Sequence, residues 1–192
     1  MVLQVRENNN MRIFFTGAQG TGKTTLMSSI PDTYNKIQNI TRSTIVNNGL
    51  AYNKDGNDES QKAIFSAYLE EFNKHEKEFC ISERSLIDVL AYTLFQGSIG
   101  KCSGETIRYQ ENVIKEYVQN HCTDLYIYFP IEFDVVDDGT RSTDEKYRKA
   151  IDYYIKDELK RLDVDYTTIT GTQEERKQQF EQILKDLEIW KK

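Results

Sequence analysis

A chain of 192 residues, 38% hydrophobic and 29% charged, has the length and composition of one soluble globular domain with a substantial core. No stretch approaches the roughly 20 apolar residues of a membrane span. The formal net charge of −6 argues against a dedicated nucleic-acid binder, although a local basic groove on an acidic protein remains compatible with one.

The first ten residues, "MVLQVRENNN", carry asparagines where a secretory signal would place its apolar segment. They read as a flexible leader before a single domain over residues 11–192 of a cytoplasmic protein. "MRIFFTG" predicts a short buried strand stopped by glycine, and "KTTLMSSI" a helix ending at Pro31. Residues 31–57 are polar and Asn-rich and predict irregular structure, with a short strand in "IQNITRS" ending at Arg42. From Asp58 an amphipathic helix places Ile64, Phe65, Tyr68, Leu69 and Phe72 on one face; at that spacing the aromatics read as core. "FCIS" predicts a second buried strand, and "ERSLIDVLAYTLF" a helix apolar around most of its circumference, hence central. After the loop "GSIGKCSG" come a helix over 105–120, a strand in "DLYIYFPI", and a helix marked by Tyr147, Ile151, Ile155 and Leu159. "DYTTIT" predicts a further strand ended by Gly171, and "TQEERKQQFEQILKDLEIW" a closing helix. Strands alternating with helices predict an α/β domain with a mostly parallel sheet. Cys80, Cys102 and Cys122 lack metal-site spacing and read as packing residues, and His75 and His121 as surface residues.

The chemistry concentrates in "FFTGAQGTGKTTL". Gly17-x-x-x-x-Gly22-Lys23-Thr24 fits the phosphate-binding loop pattern, with Gly20 inside it, between a predicted strand and a predicted helix. Glycines let successive N–H groups turn around an anion, and the helix start adds a positive dipole end. Gly17, Gly20, Thr21, Gly22, Lys23, Thr24 and Thr25 are therefore the expected nucleotide-binding set. Lys23 would reach the β- and γ-phosphates and the Thr24 hydroxyl would bind Mg²⁺.

Two further features bear on what is done with the phosphate. A base-reading N-K-x-D of GTPases is missing, and "FCISER" offers one carboxylate, Glu83, followed at once by Arg84. At a strand's end beside the loop, such a carboxylate can accept a proton or hold a Mg²⁺-bound water, and the arginine can clamp a phosphate. The bland alternative is a charged N-terminal cap for the helix that follows. In "DDGTRSTDEKYR", Arg141 and Arg148 lie seven apart and share one side if the segment is helical, as on a lid over about 134–148. The alternative there is a solvated charge run.

The ordered set "GAQGTGKTT", "ISERSLIDVLAY", "DDGTR…R" and "TITGTQEER" resembles the P-loop kinases of the NadR-kinase and AAA_28 type. These are relatives of nucleoside and nucleoside-monophosphate kinases that recur among phage proteins. The resemblance implies a P-loop NTPase fold with a small lid, and ATP and Mg²⁺ as cofactors. It implies Glu83 as base or metal-water ligand, Arg84 as clamp, and Arg141 and Arg148 as lid arginines. It places Gly171 and Thr172 against the adenine, and Arg42 and Gln61 against the acceptor. Asp88 either orients Arg84 or is a satisfied buried polar residue. The expected reaction moves the γ-phosphoryl group of ATP to a nucleoside or nucleotide, and Glu83 in place of the aspartate of monophosphate kinases favours a hydroxyl acceptor. A kinase acting on a hydroxyl of DNA or RNA and an ATP-dependent binding switch are the alternatives.

Overall fold

Strand β1 (Arg12–Thr16) is buried at every residue because parallel strands flank it and helices cover both its faces. The computed structural model describes residues 11–134 and 144–189. The leader, Arg141, most of the expected lid and Trp190 lie outside the described residues. Along the chain follow α1 (Lys23–Ser29), β2 (Asn35–Ile37), α2 (Ile40–Asn48), α3 (Asp58–Lys74), β3 (Cys80–Ser82), α4 (Leu86–Ser98) and α5 (Gly104–Asn120). Then come β4 (Leu125–Tyr128), α6 (Glu145–Arg161), β5 (Tyr166–Thr168) and α7 (Gln173–Asp186). The five strands are all parallel in the order β2-β3-β1-β4-β5.

Successive residues of β1 feed opposite faces of the sheet. Phe14 packs on Phe72 and Tyr126, at ring-centroid distances of 4.9 and 5.2 Å, in a core closed by α3, α4, α5 and α6. Phe15 packs on Phe129 and Phe180, at 5.0 and 5.2 Å, in a second core under α1 and α7. Phe65, Tyr68 and Phe72 are core residues, as expected. The chain leaves β1 for the β2–β3 edge and later returns past it to β4, so the C-terminal end of β1 is the topological switch point, where α/β sheets bind ligands.

Three sequence expectations need correction. The strand placed in "IQNITRS" lies earlier, at Asn35–Ile37, and Arg42 sits on helix α2 instead. Asn39, in the left-handed region at φ 63°, breaks the strand, and Gly49, at φ 61°, closes the helix. Helix α4 also runs on through Gly97 and Ser98, into the expected loop. Third, Cys122 is exposed rather than packed. Cys80 and Cys102 are buried, and desolvation pushes their thiols up to about 12 and about 11.

Candidate active site

The segment from Gly17 to Thr24 bridges the end of β1 and the start of α1, with Gly17, Gly20 and Gly22 at φ 146°, 70° and 91°. A side chain at Gly17 would bring its Cβ to 2.5 Å from the Phe129 carbonyl, so the loop can pass the residue after β4 only as glycine. Gly22 caps α1 without a side-chain hydrogen bond. Lys23 is buried and folds back over the loop. Its Nζ donates to Gly17 O at 2.5 Å, Ala18 O at 2.7 Å and Thr21 Oγ1 at 3.3 Å.

Asp88 anchors the loop from below. Its Oδ1 accepts from Gly17 N–H at 2.9 Å, and its Oδ2 from Ser85 N–H at 2.9 Å and the Ser85 hydroxyl at 2.7 Å. Ser85 in turn caps α4 by accepting from Asp88 N–H. Of the two roles considered for Asp88, the structure shows the satisfied buried one.

Arg148 departs from the lid expectation. It lies in the first turn of α6 with no exposed surface and does not line the cleft. Its Nε donates to Gln19 O at 3.0 Å, Nη2 to Gly20 O at 3.1 Å, and Nη1 to Phe133 O at 2.6 Å and Glu145 Oε1 at 3.1 Å. The shared side was conditional on a helical segment; α6 starts at Glu145 behind an Asp144 cap and carries Arg148, while Arg141 lies outside the described residues. Sequence reasoning missed Arg176, buried at the start of α7. Its Nη1 donates to Thr21 O, its Nη2 to Glu132 Oε2 at 2.5 Å, and its guanidinium lies 4.7 Å from the Phe133 ring centroid.

A cleft of about 1010 Å³ opens over the loop. One half is lined by Thr24, Thr25, Phe133, Thr172, Gln173 and Lys177, the other by Arg42, Gln61, Glu83, Arg84, Tyr52 and Tyr92. At the upper end of the usual range of ligand sites, that volume suits two ligands side by side. Glu83 follows β3, is half-buried and lines the cleft; its Oε1 accepts from Asn39 N–H at 2.7 Å at the start of α2, while the helix that follows it, α4, is capped by Ser85 rather than by Glu83. Arg84 stacks 5.1 Å from the centroid of Tyr92, whose hydroxyl donates to Gln19 Oε1 at 2.8 Å. Gln61 is buried and accepts from the Thr93 hydroxyl at 3.2 Å, while Arg42 is exposed on α2.

Gly171, at φ 89°, does not line the cleft, but its neighbour Thr172 does. The N–H groups of Thr170, Gly171 and Thr172 go to Gln179 Oε1, Glu132 Oε2 and Glu175 Oε2, at 3.2, 2.9 and 2.7 Å. The Thr170 and Thr172 carbonyls are engaged as well, accepting from Gln179 Nε2 at 2.8 Å and from Arg176 N–H at 3.0 Å. Among the described residues no group of three or more His, Cys, Asp or Glu can hold a metal ion. Thr24 and Glu83, both oxygen donors on the same cleft, fit the sparse protein ligation of Mg²⁺, which keeps waters and substrate phosphates as its other ligands.

The start of α6 predicts an acid sensitivity. Asp144 accepts from Lys54 and from the N–H groups of Lys146 and Tyr147, and these bonds, Lys54's first, lower its carboxyl from 3.8 to about 2. A depressed carboxyl stabilises the fold above its unfolded value and loses that contribution as pH falls through the folded one. Stability should therefore decline between pH 3.8 and about 2. In urea titrations Asp144→Asn should flatten that part of the decline; an unchanged acid profile would contradict it.

The AAA_28 family model, described as an AAA domain, matches residues 12–176. No curated protein matches the sequence. Among solved structures, the chain is similar to a NadR protein in complex with NR, with TM-score 0.71 and 14% identity over 95% of this chain and 53% of that one. It is also similar to deoxyadenosine kinase from M. mycoides with the products dCMP and a flexible dCDP bound, with TM-score 0.60 and 15% identity over 93% and 99%. The same kinase with bound dATP gives TM-score 0.61 and 14% identity over 91% and 100%. The chain thus spans about half the length of the NadR protein. At these identities the likeness establishes the fold, a P-loop NTPase fold with an all-parallel sheet.

Proposed function

The chain belongs to the AAA_28 family, and from that premise we propose that it is a phosphotransferase, moving the γ-phosphoryl group of ATP to a nucleoside or nucleotide. One observation carries this reading: the phosphate loop and Glu83, Arg84, Gln61 and Arg42 line the same cleft, which has room for a donor and an acceptor. The folds it resembles, a NadR protein and a deoxyadenosine kinase, support a small nucleoside-type acceptor.

In this reading the loop N–H groups and Lys23 hold the β- and γ-phosphates, with Lys23 exchanging loop carbonyls for phosphate oxygens. Adenine lies by Thr172, on the side of the cleft where the Gly171–Thr172 turn leads into α7. Thr24, and Glu83 through a water if Glu83 is not the base, would hold a Mg²⁺ ion that would supply charge neutralisation at the transferring phosphoryl group. Glu83 takes the proton of the acceptor hydroxyl, Arg84 clamps the acceptor or its phosphate, and Gln61 meets a base edge. Arg42 extends toward an acceptor phosphate. Arg141, outside the described residues, keeps the lid role expected of it. Catalysis is then mostly positioning and electrostatics.

Glu83→Gln is the direct test. Glutamine keeps an oxygen for Asn39 N–H but is no base, so turnover should fall roughly 10²–10⁴-fold while ATP affinity changes little. Weakened ATP binding at undiminished turnover would make Glu83 a metal-shell residue and place the base elsewhere.

A further inference from the structure

We infer that Arg148 and Arg176 are positioning residues that preform the phosphate loop for a polyphosphate chain, holding three consecutive carbonyls turned away from the cleft. Arg148 takes Gln19 O and Gly20 O from the α6 side, and Arg176 takes Thr21 O from the α7 side. In a trans peptide the C=O of one residue and the N–H of the next point in opposite directions. Fixing the carbonyls of Gln19, Gly20 and Thr21 outward therefore aims the N–H groups of Gly20, Thr21 and Gly22 inward. Those three N–H groups donate to no atom of the described residues, which leaves them for a ligand. Without such struts a loop with glycines at 17, 20 and 22 samples many conformations, and binding would have to bear the ordering cost.

The two arginines are tied to each other through residues 132–133. Arg148 donates to Phe133 O, Arg176 lies on the Phe133 ring, and Glu132 joins Arg176 to Gly171 N–H. Both guanidiniums are essentially fully buried; Arg148 does not line the cleft and adds positive charge behind the loop, whereas Arg176 forms part of the cleft wall beside it. Arginine suits this role because its planar fork serves two or three carbonyls at once, whereas lysine is a point donor. The inference deepens the phosphotransferase reading and relies on it only for the ligand class.

The test uses inorganic tripolyphosphate as ligand, without metal or acceptor, in calorimetric titrations of the whole chain and of Arg148→Lys and Arg176→Lys. Each variant, kept well below its melting temperature, should bind tripolyphosphate about tenfold or more weakly, and the double variant less weakly than the product of the two. Folded variants with affinities within about twofold of the parent would overturn the inference, since a purely architectural arginine moves only the melting temperature. Should the variants fail to fold, the ¹⁵N spectrum of the parent decides. Arg148 Nε–H should be slow to exchange and unmoved on adding tripolyphosphate; a large shift, as when the side chain swings onto the phosphate, would overturn the inference. A parent that binds tripolyphosphate with these responses but transfers no phosphoryl group would uphold the clamp and refute the phosphotransferase reading. A parent with no affinity for tripolyphosphate would refute both.

Discussion

Lys23→Ala is expected to lower phosphoryl transfer roughly 10²–10³-fold, the loss seen when one donor to developing transition-state charge is removed. The side chain is buried against Gly17 O, Ala18 O and Thr21 Oγ1, so it also bonds the ligand-free loop. The loop has other supports, from Asp88 below and Arg148 and Arg176 at its sides, and the mutant should fold. Circular dichroism should match the parent's, ATP affinity should fall, and turnover at saturating ATP should fall with it. A mutant with undiminished turnover would remove the loop from the mechanism.

Asp88→Asn is expected to destabilise the protein by about 2–3 kcal/mol, the cost of leaving a buried polar group mismatched. One asparagine oxygen can accept from Gly17 N–H, but its amide then presents donors to Ser85 N–H, which lies 2.9 Å from Oδ2. Flipping the amide moves the same conflict to Gly17. Either way one end of a bridge breaks that joins the loop's first residue to the cap of α4, in a site with no exposed surface. Urea unfolding measures the loss, and phosphoryl transfer should drop as well because Gly17 is the loop's entry point. A midpoint unchanged within error would mean that Asp88 is solvated in solution.

The legible parts of this protein are the local ones. The glycine and lysine spacing of the loop encodes a backbone shape over eight residues, and β1, β3 and β4 stand out as apolar runs because both their faces are covered. Helix α2 was hidden because its sequence, "ITRSTIVNN", is rich in β-branched residues and its start depends on a left-handed Asn39 and a cap from Glu83, distant in sequence. Asp88 did carry a signal, the Ser85-x-x-Asp88 pattern of a capping box, but its second bond, to Gly17, is tertiary. Arg176 had none, since its carbonyl partner Thr21 lies 155 residues away. The placing of Glu83 and Arg84 beside the loop follows from the ordered motifs and that of Gln61 only from its position between them, whereas the burial of Arg148 depends on where α6 begins.

The central claim is tested most directly by a γ-labelled ATP transfer screen in Mg²⁺. The panel should hold the nucleosides, deoxynucleosides, their monophosphates, nicotinamide riboside and a modified duplex DNA. The account predicts label on one small nucleoside or nucleotide. Label on the DNA would shift the acceptor to nucleic acid, and slow release of free phosphate with no labelled acceptor would contradict the phosphotransferase reading and favour a nucleotide-dependent binding switch.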